Sequence, residues 1–306
     1  MPNTALQDKT VKVLATAQVL NGVGVAGTVA AGSLLVASIT DSETLAGLAQ
    51  TSSVLGAAAL ALPLARLTAR GGRRLALSVG FIAGVIGSLC AIVGGAEKNI
   101  YLMLTGTFLV GAASAAGYQA RFAAVDLATN ETRAKQLSFV VWGSTVGAVA
   151  GPNLMEPAGE MALALGLPKL VGPYIVAIVM LFSAATLITL LLKPDPFLLA
   201  REERGEAYKR EKRAFRKAFS TIRSIPRAWL ALHAIVIGHI TMVTIMVMTP
   251  VHMAHVDVSV RLIGLVISVH VLGMYALSPV VGKVVDKIGR IKTIIVGVVI
   301  LLTSAI

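Results

Sequence analysis

Two pairs of side chains in the last third of the chain carry the sharpest chemistry: Met242 with Met246, in M-V-T-I-M, and His270 with Met274, in H-V-L-G-M. Each pair is spaced by four, which on a helix puts both side chains on one face. Thioether sulfur and imidazole are soft or borderline ligands that suit Cu(I). Both are uncharged, so a copper ion can be held at membrane depth without burying a carboxylate. The same residues also fit a flexible apolar cavity for an organic substrate, which Met lines well, with His270 in an inter-helix hydrogen bond. His252, Met253 and His255 read either as a metal uptake site or as polar residues at a membrane interface.

Other polar residues fall inside apolar stretches. Gln18 and Asn21 lie in the first such stretch, which holds no buried acid, Gln119 and Arg121 in the fourth, and His233 and His239 beside the Met pair. An ionisable group in a membrane helix is a functional candidate by default. Arg121 is also near enough to a helix end to snorkel. In G-S-T-V-G-A-V-A-G-P, Gly143, Gly147 and Gly151 recur at spacing four and Pro152 follows. Such small residues allow close helix packing, and the proline frees a carbonyl and favours a bend.

The elements that must position these residues are membrane helices. With 56% apolar and 14% charged residues and a mean hydropathy of +0.82, the chain is far from a soluble composition. Apolar blocks of membrane-spanning length recur with no soluble domain between them. They predict helices at about 13–40, 45–65, 75–95, 100–124, 137–157, 170–192, 229–253, 262–281 and 293–306. The ninth block holds only 14 residues before Ile306, so the natural protein is expected to continue. Cys90 is the sole cysteine, read as a small apolar residue of the third helix.

A net charge of +12 raises the question of nucleic acid, and the location of the charge answers it. When alternate loops are assigned to opposite sides, 24 of the 27 Lys and Arg fall on one side. By the positive-inside bias, the N-terminus is expected in the cytoplasm and the protein in the plasma membrane. Six spans precede a basic linker, 193–228, and at least three follow it. The expected domains are a bundle at 1–192, the linker, and an incomplete second bundle at 229–306. In the linker, Phe215, Phe219 and Ile222 follow at helical spacing among Arg and Lys. That pattern fits either an amphipathic helix on an anionic leaflet or a solvated charged segment.

An internal repeat supports two halves. G-K-V-V-D-K-I-G-R-I-K runs from Gly282 to Lys292, and A-R-L-T-A-R-G-G-R-R from Ala65 to Arg74. Aligning Gly72 with Gly289 gives an offset of 217 and pairs Arg73 with Arg290. The G-x-x-x-D-[RK]-x-G-R pattern formed by Gly282, Asp286, Gly289 and Arg290 resembles the signature loop of the major facilitator superfamily. The first copy departs from it at Ala65 and Ala69. V-D-L-A-T-N-E-T-R is similar to the family's acidic helix end, and carries Asp126 and Arg133. The resemblance implies an all-α fold of two six-helix bundles, with about nine of twelve helices present. It also implies a cytoplasmic gate in which Arg70 or Arg73 pairs with Asp126.

Gly147 to Pro152 resembles the helix 5 motif of the drug–proton antiporters. The glycine pair usual after the proline is absent, however, and Thr107 stands where those proteins carry Arg. The Met and His pairs resemble those of the bacterial copper-importing branch and its uncharacterised relatives, which implies Met242, Met246, His270 and Met274 as metal and substrate ligands. The expected function is secondary transport by alternating access. Copper uptake is its sharpest form, and the alternatives are efflux of organic compounds or a non-transporting receptor or scaffold. The expected partners are the lipid bilayer and a small-molecule or metal-ion substrate. Nucleic acid is not expected, no protein partner is specified, and no resident cofactor is implied, copper entering only as substrate. The chain has no phosphate loop, C-x-x-C or H-E-x-x-H, and no nucleophile–base pair announces an enzyme.

Overall fold

The computed structural model describes residues 4–129, 133–203, 205, 214–276 and 288–304. Its helices are α1 (Thr4–Thr40), α2 (Gly47–Ala96), α3 (Ile100–Ala123), α4 (Arg133–Asn153), α5 (Met155–Ala164), α6 (Gly172–Leu191), α7 (Pro196–Glu203), α8 (Ala214–Ser224), α9 (Pro226–His255), α10 (Val260–Ala276) and α11 (Arg290–Ser304). No strand occurs among the described residues.

Among the described residues, five helical runs are long and apolar enough to cross a bilayer: Ala5–Thr40, Glu43–Ala96, Ile100–Ala123, Lys169–Glu203 and Pro226–His255. At 54 residues, Glu43–Ala96 is more than twice the ~20 that one crossing needs. It turns back inside α2 at Gly72, whose φ of 86° only glycine adopts at little cost. The packing on α3 shows the reversal. Against the first limb of α2, residue numbers rise together: Ser52 donates to the Leu104 carbonyl at 2.7 Å, and Gln119 donates to that of Ala61 at 3.3 Å. Against the second limb they run oppositely, with Gly80 against Ala116, Gly84 against Ala113 and Gly94 against Met103. Two crossings lie on α3, one parallel to it and one antiparallel.

The sequence expects the first helix to begin near residue 13, but α1 begins at Thr4. Its polar first turns are not free in solvent: the Gln7 amide donates to the Ala124 carbonyl at 2.8 Å and to Gln136 Oε1 at 2.6 Å, and Gln7 is buried. A buried donor with two acceptors is well satisfied, so hydrophilic residues extend the helix past its apolar block. The fifth block is interrupted at Leu154, which keeps right-handed helical angles, and continues as α5 to Ala164, beyond the expected end at 157.

The chain divides into two compact units. The first holds residues 1–207 and 247–273, the second 208–246 and 274–306, so one boundary falls within the 193–228 segment and the others inside α9 and α10. In the first unit the core gathers Leu14, Leu77, Phe81, Leu181 and Ile188 with a large share of alanines. Helix α4 lies along α1 with residue numbers rising together: Gly143 faces Ala15, Gly147 faces Val19 and Gly22, and Gly151 faces Val23 and Gly27. In the second unit, the Phe219 ring of α8 meets Trp229 of α9 edge-on, 5.9 Å between centroids.

The α1–α4 contact is made backbone to backbone. A Cβ on Gly147 would stand 2.7 Å from the Gly22 Cα and 2.8 Å from the Val23 nitrogen, neither of which can swing aside. Replacing Gly147 with Leu is expected to cost at least about 1–3 kcal/mol by overpacking and to lower the melting temperature in detergent by several degrees. Gly47→Ala, where a Cβ meets nothing within 4 Å, leaves it unchanged. Differential scanning fluorimetry on both variants checks the contrast.

Candidate functional site

An uncharged polar cluster sits inside the first bundle where α1 meets α3. Gln18 and Asn21 are one helical turn apart on α1 and are 3% and 8% exposed. Opposite them on α3 is Gly117, where a Cβ would collide with the Asn21 amide nitrogen and stand 3.3 Å from Gln18 Oε1. The missing side chain is what admits the two amides. Gln18 donates to the Gly117 carbonyl at 3.1 Å, and Gln119 accepts from Thr68 at 3.1 Å.

Six buried side-chain atoms lack a partner among the described residues: Gln7 Oε1, Gln18 Oε1 and Asn21 Oδ1 on α1, Arg121 Nε on α3, and the hydroxyls of Ser144 and Thr145 on α4. A buried polar atom left unpaired costs about 1–3 kcal/mol, so such groups call for a partner from water or a bound solute. The amide oxygens only accept, whereas the hydroxyls both donate and accept. Thr107 is not part of this set, because its hydroxyl donates within its own helix to the Leu104 carbonyl at 3.0 Å. Arg121 lies over the Tyr118 ring at 5.1 Å.

A second cluster closes the basic end of the bundle. Arg73, just past the Gly72 turn, holds Asp126 with two bonds, Nε to Oδ2 at 2.8 Å and Nη2 to Oδ1 at 3.1 Å, each side chain 13% exposed. Of the two arginines open to this role in the sequence, the structure selects Arg73. Arg70 points to the exposed surface. Gly282 and Asp286 lie outside the described residues, as do the side chains of Arg133, Pro152 and Arg290. Gly289 takes φ 90°, as Gly72 does in the first copy of the loop.

The Met and His pairs stay on their own helices. Met242 and Met246 are half-buried on α9, His270 is exposed and Met274 half-buried on α10. Met242, Met246 and Met274 belong to the second unit and His270 to the first. Among the described residues, no group of three or more His, Cys, Asp or Glu is gathered as a metal site. His255 instead pairs with Glu43 at 2.5 Å. Both line a cavity of about 520 Å³ with Leu34, Val251, Asp257 and Ile263.

The family model described as Major Facilitator Superfamily matches residues 14–306. The chain belongs to that superfamily. Its long apolar helices make this superfamily member a multi-pass membrane protein. It is 35% identical over 286 residues to an uncharacterised MFS-type transporter, YdeG, and 32% identical over 287 to another, YddS, both of Bacillus subtilis. These matches cover 94% and 93% of this chain and 66% of each relative, so the chain spans just under two thirds of their length. The riboflavin transporter RfnT of Brucella anthropi is 26% identical over 312 residues, covering all of this chain and 74% of that protein. No solved structure matches it.

The sequence alone does not single out Ser144, Thr145 or Asp195. The first two stand between Gly143 and Gly147, where the glycine spacing drew attention to packing. Their burial in an apolar block was the available signal. Asp195 lies in the linker, where its sequence neighbours show no distant partner for it.

Arg73 and Arg70 give a direct test of the basic-end geometry. Arg73→Ala strands a mostly buried carboxylate and is expected to cost about 2 kcal/mol. Arg73→Lys falls between, since an ammonium cannot make the two-pronged bond, and Arg70→Ala stays near wild type. Melting temperatures of the three variants in one detergent check the order.

Proposed function

We propose that this superfamily member is a secondary carrier that moves a small organic solute across the plasma membrane by alternating access, with its N-terminus in the cytoplasm. The observation that carries the reading is the set of buried, uncharged and unpaired oxygens on Gln18, Asn21, Ser144 and Thr145. Amide oxygens and hydroxyls in an apolar bundle select a solute with N–H or O–H donors and no requirement for charge. The riboflavin transporter among the relatives supports an organic solute and places riboflavin on the panel to test. In this scheme the Arg73–Asp126 pair helps to hold the inner face of the first bundle.

Copper uptake is the second reading, supported by the ligand chemistry of Met242, Met246, His270 and Met274. The two readings separate in one experiment on the full-length carrier in proteoliposomes, with riboflavin, a panel of organic solutes and Cu(I) offered in parallel. Gln18→Ala with Asn21→Ala is expected to weaken binding of the transported solute about tenfold, as loss of one or two hydrogen bonds implies. Solute uptake indifferent to that double variant would remove the first reading. Saturable copper uptake abolished by His270→Ala with Met274→Ala would establish the second.

A further inference from the structure

The turn at Gly72 has a chemical difficulty that the local sequence does not solve. A helix begins with backbone N–H groups that need acceptors, and the usual remedy is a Ser, Thr, Asp or Asn side chain at its start. Before the second limb of α2 stand Gly71 and Gly72, which have no side chain to offer. The acceptor comes from 121 residues away: Asp195 Oδ2 takes the N–H of Arg74 at 2.7 Å.

The other oxygen of the same carboxylate accepts from Phe197 N at 3.0 Å and Leu198 N at 3.2 Å, the first turn of α7. One carboxylate therefore starts two helices, and each helix dipole favours the negative charge between them. Gly72 abuts this carboxylate so closely that a Cβ there would overlap it. Two further contacts come from the same short segment. Arg201 Nη1 donates to the Ala69 carbonyl at 3.0 Å, and the Phe197 ring lies 5.4 Å from the Arg73 guanidinium carbon. A guanidinium near an aromatic ring at that distance is attracted to it.

We propose that Asp195 is a positioning residue. The segment Asp195–Arg201 clamps the Gly72 turn and sets Arg73 in the bidentate geometry that holds Asp126. Ala69 occupies the place that Asp286 takes in the second copy of the loop. The negative charge at the first turn is supplied from outside the loop, by the segment that follows α6. That this clamp controls opening of the inner face rests on the carrier reading above; that it positions Arg73 does not.

Two measurements on the full-length protein in detergent test the positioning. Hydrogen exchange reads the Arg74 amide and its neighbours in residues 71–76: Asp195→Ala is expected to speed exchange there at least tenfold and leave residues 100–110 of α3 unchanged. A double-mutant cycle with Arg73→Ala reads the coupling, since independent contributions add and a positioning residue loses most of its effect once Arg73 is gone. Asp195→Asn, which keeps an acceptor and drops the charge, falls between wild type and Ala. If Asp195→Ala does not fold, Asp195→Asn and Arg201→Ala carry the same two readouts. Unchanged exchange at Arg74, or strict additivity with Arg73→Ala, overturns the clamp. Faster exchange and coupling without any change in solute flux keeps the clamp and removes its role in the carrier cycle.

Discussion

In a bilayer, helices gain little from hiding apolar surface from one another, because lipid is as apolar as leucine. Association must come from close packing and from polar contacts between helices. The first bundle is built on this constraint. The limbs of α2 meet α3 through Gly56, Gly80, Gly87, Gly94, Gly106 and Gly111, and α4 meets α1 through Gly143, Gly147 and Gly151. At most of these points a Cβ would meet backbone, which has no flexible end to move. The core is rich in alanine for the same reason, and the large side chains that remain, Leu14, Phe81, Tyr174 and Leu181, fill what the small ones leave.

Close approach also decides where polar groups can be placed. Gln18 and Asn21 fit inside the bundle because Gly117 faces them. Tyr174 reaches the Thr28 carbonyl at 3.3 Å beside Gly32, another position where a side chain would be in the way. The same rule holds at the basic end, where Gly72 leaves room for the Asp195 carboxylate to reach the Arg74 amide. Packing and chemistry are thus not separate assignments of the glycines. Each omitted side chain shortens an inter-helix distance and, at these three positions, makes room for a hydrogen bond.

Much of this was legible from periodicity and composition, and the remainder was lost for identifiable reasons. Apolar blocks located the helices because crossing length is a property of consecutive residues. They misplaced the start of α1, since the acceptors for Gln7 come from Ala124 and Gln136, more than 100 residues away. The loop repeat pointed to Gly72, Arg73 and Asp126, but choosing Arg73 over Arg70 required knowing that the chain reverses at Gly72. Asp195 was visible only as an acid between two prolines, because its partners lie in another loop. Ser144 and Thr145 were hidden among glycines whose spacing was the louder signal.

The two ends of the first bundle are held by contacts of different quality, and burial explains the difference. Arg73 and Asp126 are 13% exposed, joined by two bonds, and backed by the Phe197 ring. A pair so placed is weakly screened, and losing either partner leaves a charge that water cannot fully recover. At the opposite end, Glu43, just before α2, and His255 are 56% and 64% exposed beside the 520 Å³ cavity. A contact of that kind contributes about 0–1 kcal/mol and is screened by salt. Their surroundings separate them: the basic end is fixed by mutually dependent contacts, while water competes for the exposed Glu43–His255 contact.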